Sequence, residues 1–449
     1  MDWKQLICSE RLGCEGTDYH DNRNSYYRDF DRIVFSKEFR LLQSKTQVVP
    51  FPEKDATHTR LTHSIETASV GRSLGTIAAE RLNLKENGIT PEDVGAIVAA
   101  ACLCHDIGNP PLGHSGEDAI SQLFLDEKGQ RLLDRYVTQD YRYDFEHFEG
   151  NAMGFHILTH SNKEKTTVEG GLGLTYSTLA AFSKYPNRFT EQKEDEKYPA
   201  YCKKAGLLRC DIEQYQRIAT RLGIDGVSGK NYTWVRHPLA YLTEAADDIC
   251  YAVVDLEDGY RNGSITFEEA RDHLLAIIEA DGDIHFDDSR IIDNSEKIGY
   301  YRAKAINALI NLCVKIFANN IQLILEGSFE STLIKSLPEN ARAAYKSLID
   351  ISVNKVYSHP DILLTEAAGF VVLPGLLDIL TRAAFEEGMR SEKVRKTLLK
   401  GRICNDTNLT FEQRNYYTIL NIVKYIAFMT DSYAVKLYRE LTGIQLPNY

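Results

Sequence analysis

VGAIVAAACLCHDIGNPPLGHSGE, residues 94–117, is the stretch on which the fold reading turns. It opens as an apolar run of small and branched residues with no polar side, and a helix apolar all round is a buried helix. Pro91 at a first-turn position, with Glu92 and Asp93 behind it, supplies the start signal, so a helix is predicted over 91–107. Gly108-Asn109-Pro110-Pro111 ends it, because two prolines cannot continue a helix. Ser115 is then expected as the N-cap of a second helix running to about Asp126. At the end of the buried helix stands His105-Asp106. An Asp is seldom buried unless it is paired or coordinated. Alone, such a dipeptide reads as a capping Asp beside a core His.

Outward from this stretch the pattern stays helical. Helices are predicted at about 57–82, 239–262, 301–326, 339–357, 364–388 and 411–442. Residues 190–199 and 281–294 are charged and irregular and read as surface loops, and residues 232–236 are a weak strand candidate. There is no internal repeat. The expected fold is mostly all-α with few short strands, a single body over 1–449. Its motifs lie within about 25–260, and 261–449 form a helical extension.

Composition narrows the class. The chain is 43% hydrophobic and 26% charged, as expected of a globular protein with a large core. No run approaches the ~18 consecutive apolar residues of a membrane span. The start, MDWKQLICSERLGCEG, lacks a basic segment followed by an apolar one, so a cytoplasmic location is expected. A net charge of -12 argues against a general nucleic-acid coat and implies that positive charge or metal is concentrated wherever an anion binds. The nine cysteines form no C-x-x-C pair, which argues against a disulfide framework or a cysteine zinc site.

The His-Asp pair does not stand alone. Residues 105–117 gather His105, Asp106, His114 and Glu117 around a Gly-Pro turn. The turn places His114 and Ser115 at a helix start, where free N–H groups favour anions. Arg60 and His63 are three apart on one helix face, and His63 lies off the apolar stripe of Leu61, Ile65 and Ala68. In residues 239–260 an apolar stripe runs through Leu242, Ala246, Ile249, Val253, Leu256 and Tyr260. Asp247, Tyr251 and Asp255 form a second, polar stripe on another face. That stripe reads either as a solvated acidic face or as a cleft wall. His63, His105, Asp106 and Asp247 would make a two-His, two-carboxylate metal site, with His114 and Glu117 left for proton transfer. Mn or Mg is the expected divalent ion, with Co, Fe, Zn and Ni as other occupants.

Further segments join the set: YRDFDR at 27–32, LQSKTQV at 42–48, RLTHS at 60–64, HFEGNA at 147–152, LTYSTLAAFSKYP at 174–186 and EAADDICYAVVDLEDG at 244–259. In this order and together with HDIGNPPLGHSGE, the chain resembles the HD-domain deoxynucleoside triphosphate triphosphohydrolases, the bacterial dGTPase group in particular. The match spans about residues 25–260. The resemblance implies His63, His105, Asp106 and Asp247 as metal ligands, His114 and Glu117 as the catalytic pair, and Arg60 on the triphosphate. It places Gln47, Tyr251 and Asp255 around the deoxyribose, and Lys184 and Tyr185 near phosphate. It implies hydrolysis at the α-phosphorus to deoxynucleoside and triphosphate, and a homo-oligomer, tetramer or hexamer. The chain departs from the family at Met153 and His156, where many members carry Gln and Arg.

Two other readings share parts of this pattern. Another HD phosphohydrolase, acting on nucleoside monophosphates, cyclic nucleotides or alarmones, needs the four ligands but not the other residues. A regulatory protein responding to single-stranded DNA or an activating nucleotide would use basic and aromatic positions such as Arg23, Tyr26, Tyr27, Arg28 and Arg32.

Overall fold

The computed structural model describes residues 1–14, 23–48, 58–113, 115–160, 170–188, 200–282 and 287–446. His114 and residues 190–199 lie outside the described residues. The helices that build and support the site are α1 (Ser25–Val34), α2 (Arg60–Arg81), α3 (Pro91–Cys104), α4 (Ser115–Leu125), α5 (Gly150–Thr159), α6 (Pro238–Arg261), α7 (Glu339–Ser352), α8 (Pro360–Phe385), α9 (Phe411–Ala427) and α10 (Asp431–Thr442). No strand forms among the described residues. The few expected strands reduce to isolated bridges, two of them made by Thr233 and Trp234 in the weak strand candidate. The left-handed backbone of Tyr232, at φ 52°, and the helix beginning at Pro238 leave that segment no room to extend.

α3 is the axis of the fold. Thr90 caps it in a capping box with Asp93, Pro91 takes the first helical position, and every residue from Val94 to Cys104 is buried. α1, α2 and α6 pack around it, α2 most extensively. The α2–α3 crossing is tight because small residues meet there. A Cβ on Gly75 would sit 2.9 Å from the Val94 carbonyl oxygen, and one on Gly95 would sit 2.3 Å from Thr76 Oγ1. Backbones this close leave few gaps in the core.

Two readings of the helices change. The buried face of α2 runs through His63, Thr67, Gly71, Leu74 and Ala78, while Ile65 is 48% exposed. His63 therefore lies on the inward face, and Leu61 and Ile65 are not the core stripe. Polar His63 and Thr67 turn inward because a polar site, not an apolar contact, faces them there. α4 contains Ser115 as its first residue, so Ser115 is not the residue that caps it.

The stretch at 411–442 is two helices, α9 and α10, parted at residues 428–430, with Thr430 capping the second. The stretch at 301–326 is likewise divided, into Asn294–Asn319 and Ile321–Glu326. α8 is long and apolar enough to cross a membrane, by length and composition alone. Val372, Leu373, Leu376, Leu377 and Leu380 turn one face of it into the core.

Candidate active site

α3 ends at Cys104, and the chain then passes through a tight turn that aims His105 and Asp106 back toward α2 and α6. Glycine makes the turn possible. Gly108 has φ +113°, and a Cβ there would lie 2.3 Å from the carbonyl oxygen of Gly150 and from the amide nitrogen of Gly154. The turn thus seats directly on the backbone of α5.

Three side chains meet beyond it. His63 from α2, His105 from the turn and Asp247 from α6 offer ligand atoms all within 4.8 Å of one another. His63 Nε2 is 3.2 Å and His105 Nε2 3.4 Å from Asp247 Oδ1. His105 Nδ1 lies 2.6 Å from the Cys102 carbonyl oxygen. A ring held there as an Nδ1–H donor presents its Nε2 lone pair to the cluster. Asp106 Oδ1 accepts from Arg60 at 2.7 Å and from the Asn109 amide at 2.6 Å. Its Oδ2 is buried and has no hydrogen-bond partner among the described residues.

Buried polar atoms without partners are costly and rare. Besides Asp106 Oδ2, the buried His63 Nδ1, Arg60 Nε and Gln47 Oε1 also lack a hydrogen-bond partner among the described residues. Two imidazoles, one gathered carboxylate and a second carboxylate with a spare oxygen make a donor set that fits a divalent cation. Charge fits as well. Burial opposes ionisation of Asp247, but His105, His63 and Lys184 outweigh it and hold the carboxyl well below its usual range. Burial likewise opposes charge on His105, and the Asp106 and Asp247 carboxylates outweigh it, lifting the ring to about 9, so a bound cation would take the place of the ring's Nε2 proton. The neighbouring Asp248 is pushed up to about 7, first by burial and then by Glu244 despite Lys184. Asp247, not Asp248, is the residue that meets the histidines.

Glu117, in the first turn of α4, accepts from the Gly150 amide at 2.8 Å and lies 3.4 Å from Lys204 Nζ, which also reaches Glu149 at 3.1 Å. Burial, and then the charge of Glu149, push Glu117 up to about 7. Lys184 lies 3.6 Å from Glu244, which also accepts from Arg236 at 2.6 Å, and Tyr185 stands beside Lys184.

One turn along α6 from Asp247, Tyr251 lines a cleft of about 180 Å³ with Gln47, Leu112, Tyr357, Ile362 and Glu366 among its walls. Tyr357 stacks on Tyr251 at 5.8 Å and donates to Asp255, which is 1% exposed. Burial pushes Asp255 up to about 8. The stripe of Asp247, Tyr251 and Asp255 is therefore a cleft wall rather than a solvated face.

Several of these residues come from the C-terminal third, which the sequence shows only as generic helix. Tyr357 arrives on a π-helical turn, Val353–Tyr357, that continues α7. Asp431 at the start of α10 accepts from the amides of Thr46, at 2.8 Å, and Leu112, at 2.9 Å, and from the Thr46 hydroxyl. Leu112 is held at φ +69°, a strained conformation for leucine. Lys45 Nζ donates to the carbonyls of Asn109, at 2.6 Å, and Ala427. Burial, and then the Arg60 charge, bring Lys45 down to about 7. Of the five residues considered for a single-stranded-DNA surface, Tyr26 and Arg28 are buried and Arg32 donates to the Leu172 carbonyl, while Tyr27 and Arg23 are exposed.

A helical body with His-Asp at the turn after a buried helix defines an HD-domain protein, and the HD domain family matches residues 60–185. Full-length relatives take this further. The chain is 37% identical, over 99% of its length and 100% of theirs, to a deoxyguanosinetriphosphate triphosphohydrolase-like protein of Synechocystis sp.. One of the same description from Pseudomonas aeruginosa is 38% identical over 100% of both chains. A deoxyguanosinetriphosphate triphosphohydrolase of Cronobacter sakazakii is 30% identical over 95% of each. The chain belongs to this family of HD-domain triphosphohydrolases.

Proposed function

We propose that this protein hydrolyses deoxynucleoside triphosphates, with dGTP as the leading substrate, to deoxynucleoside and inorganic triphosphate in a metal-dependent reaction that helps set the dNTP pool. The meeting of His63, His105 and Asp247 one helical turn from the Tyr251 wall carries the reading. His63, His105, Asp106 through its spare Oδ2, and Asp247 would hold the ion, Mn or Mg in the first instance. When bound, the ion supplies Lewis-acid polarisation of a phosphoryl oxygen.

The chain's own residues do the rest. Arg60 and Lys184, with Tyr185 beside it, supply positive charge and hydrogen bonds for the triphosphate, so an acidic protein can hold a polyanion. Tyr251 stacks on the deoxyribose and fills the space a 2′-hydroxyl would need. Gln47 offers its unpartnered Oε1, and Asp255 anchors Tyr357 behind the sugar. Water attacks the α-phosphorus, the bond to the 5′-oxygen breaks, and the deoxynucleoside takes the proton on that oxygen. We assign movement of that proton to Glu117, pushed up to about 7, and to His114. Glu117 is steadied by the Gly150 amide and Lys204, so it can exchange a proton near neutral pH without changing position.

The single body over 1–449 is part of the proposal, because Tyr357, Ala427 and Asp431 complete the site from the C-terminal third. So is a homo-oligomer: α8 exposes Leu363, Leu364, Phe370 and Val371, an apolar strip suited to a second copy. Leu364→Glu should then shift the particle mass in light scattering to a smaller species.

The deciding experiment is hydrolysis of the four dNTPs and GTP with Mg or Mn, with products separated by anion exchange. Triphosphate with deoxynucleoside supports the reading, and the ranking of bases and sugars assigns the substrate. Monophosphate with pyrophosphate would instead assign the chain to a different phosphohydrolase reaction.

A further inference from the structure

On the far side of α5 from the turn lies a second cluster that the proposed reaction does not use. His156 near the end of α5 is 4% exposed, and Asp211 on the short turn Arg209–Asp211 is fully buried. Cys210 precedes Asp211. His156 Nδ1 is 3.0 Å from Asp211 Oδ1 and 3.6 Å from Cys210 Sγ, and Sγ is 3.4 Å from the same oxygen. All three ligand atoms lie within 4.8 Å of one another. His160, one turn beyond His156, stacks on it at 4.2 Å and brings its Nδ1 to 3.4 Å from Asp211 Oδ1. Asp211 Oδ2 is buried with no hydrogen-bond partner among the described residues.

We propose that His156, Cys210 and Asp211 bind a structural zinc ion, with the fourth position taken by water or by His160, whose Nδ1 lies 3.4 Å from Asp211 Oδ1. Zinc bonds of about 2.0 Å to nitrogen and oxygen and 2.3 Å to sulfur, opened to a tetrahedral angle, separate ligand atoms by roughly 3.3–3.6 Å. The three ligand-to-ligand distances fall close to that. Zinc with one thiolate and one carboxylate is electrically neutral, which suits a buried place. Lys424 and Asp144, one charge of each sign, are the other ionic neighbours. Binding sends the Cys210 thiol proton to solvent, as a thiolate ligand requires. His160 is the residue that caps the C-terminal end of α5, one turn beyond His156. The paired-cysteine spacing that marks zinc sites in sequence is absent, so only folding brings this set together.

The place of the ion gives it a role. α5 begins at Gly150, whose amide holds Glu117 and whose carbonyl receives the Gly108 turn. Zinc at the other end ties α5 to residues 209–211, and Tyr416 of α9, 3.5 Å from Cys210 Sγ, lies against the same point. The ion would fix the helix that positions Glu117 without touching substrate.

Cobalt(II) tests this without reading activity. A cobalt–thiolate bond gives an intense near-ultraviolet charge-transfer band, and the proposed catalytic metal set contains no sulfur. Full-length protein stripped of metal and titrated with cobalt should develop the band. It should persist in His63→Ala, where loss of the catalytic metal is read separately, and zinc should abolish it by displacement. It should disappear in Cys210→Ser, and Asp211→Asn should weaken cobalt affinity at this site by about 10-fold or more. Absence of the band in the wild-type protein overturns the proposal whatever the variants do. So does a band that survives Cys210→Ser, or an unchanged affinity in Asp211→Asn.

Discussion

Replacing Asp431 by alanine removes a side chain through which the C-terminal third holds both the Thr46 segment and the turn after α3. Asp431 is 3% exposed and accepts three hydrogen bonds: two amides, at 2.8 Å and 2.9 Å, and the Thr46 hydroxyl. Hydrogen bonds to a charged group are worth about 1.5–3 kcal/mol each, and a buried donor left without a partner costs about 1–3 kcal/mol. The three share one acceptor and are not additive, so the expected loss of folding stability is about 3–5 kcal/mol. Leu112 stays at φ +69° only because its surroundings hold it there, so losing the amide anchor also frees the cleft wall. Asp431→Asn keeps one carbonyl oxygen but turns an NH2 toward a donor, and should cost about 1–3 kcal/mol. Urea unfolding measures the first effect, and turnover at a temperature where both variants remain folded measures the second. Turnover should fall in the order wild type, Asn, Ala. An Asp431→Ala protein within 1 kcal/mol of wild type by the same criterion, with unchanged turnover, would refute the view that this contact holds the cleft.

His63→Ala and Asp247→Ala should each abolish divalent-metal binding at the His63–His105–Asp247 cluster and hydrolysis together, read by the loss of that binding event in calorimetry and by product release. His114→Ala should lower turnover with the metal still bound, and wild-type turnover in that variant would remove His114 from the catalytic pair. If Glu117 accepts a proton, the rate should rise as pH passes through about 7 and level off above it. Glu117→Gln should flatten that limb and lower the plateau by about 100-fold or more. His58, bonded to Asp258 at 2.7 Å and 3.3 Å from Glu66, is lifted to about 10 because the two carboxylates outweigh its burial. Its stabilisation should be complete below the ordinary histidine range near pH ~6.5 and lost as pH rises through about 10. The Glu66 carboxyl, held down by His58, works at the opposite end, and its contribution fades only in acid. His58→Ala should lower stability by about 3 kcal/mol near neutral pH, with the difference from wild type closing toward pH ~10.

Much of the site was legible because two local signals carry it. The run of residues 94–117 places a charged pair at the end of a helix too apolar to be anywhere but inside. The four-residue spacing of Asp247, Tyr251 and Asp255 fixes one face of α6 whatever the rest of the chain does. The same periodicity misled on α2. Leu61 and Ile65 read as the core stripe, yet Ile65 is exposed and His63 buried, because the neighbour facing α2 there is a polar cluster and not an apolar surface. The division of 411–442 was hidden because the break at residues 428–430 contains neither Gly nor Pro.

By itself, the sequence determined that the chain is helical, that α3 is its buried axis, and that His105, Asp106 and Asp247 stand where such helices end or face a cleft. These properties depend on residues a few positions apart, so side-chain chemistry and helix geometry suffice to read them. Only the tertiary structure decided which distant residues complete the cleft: Tyr357 on Asp255 across 102 positions, Lys204 on Glu117 across 87, and Asp431 on Thr46 across 385. It also decided that a lone Cys210 meets His156 and Asp211. A hydrogen bond or a shared ion leaves no periodic trace along the chain when its partners are joined by packing rather than by spacing.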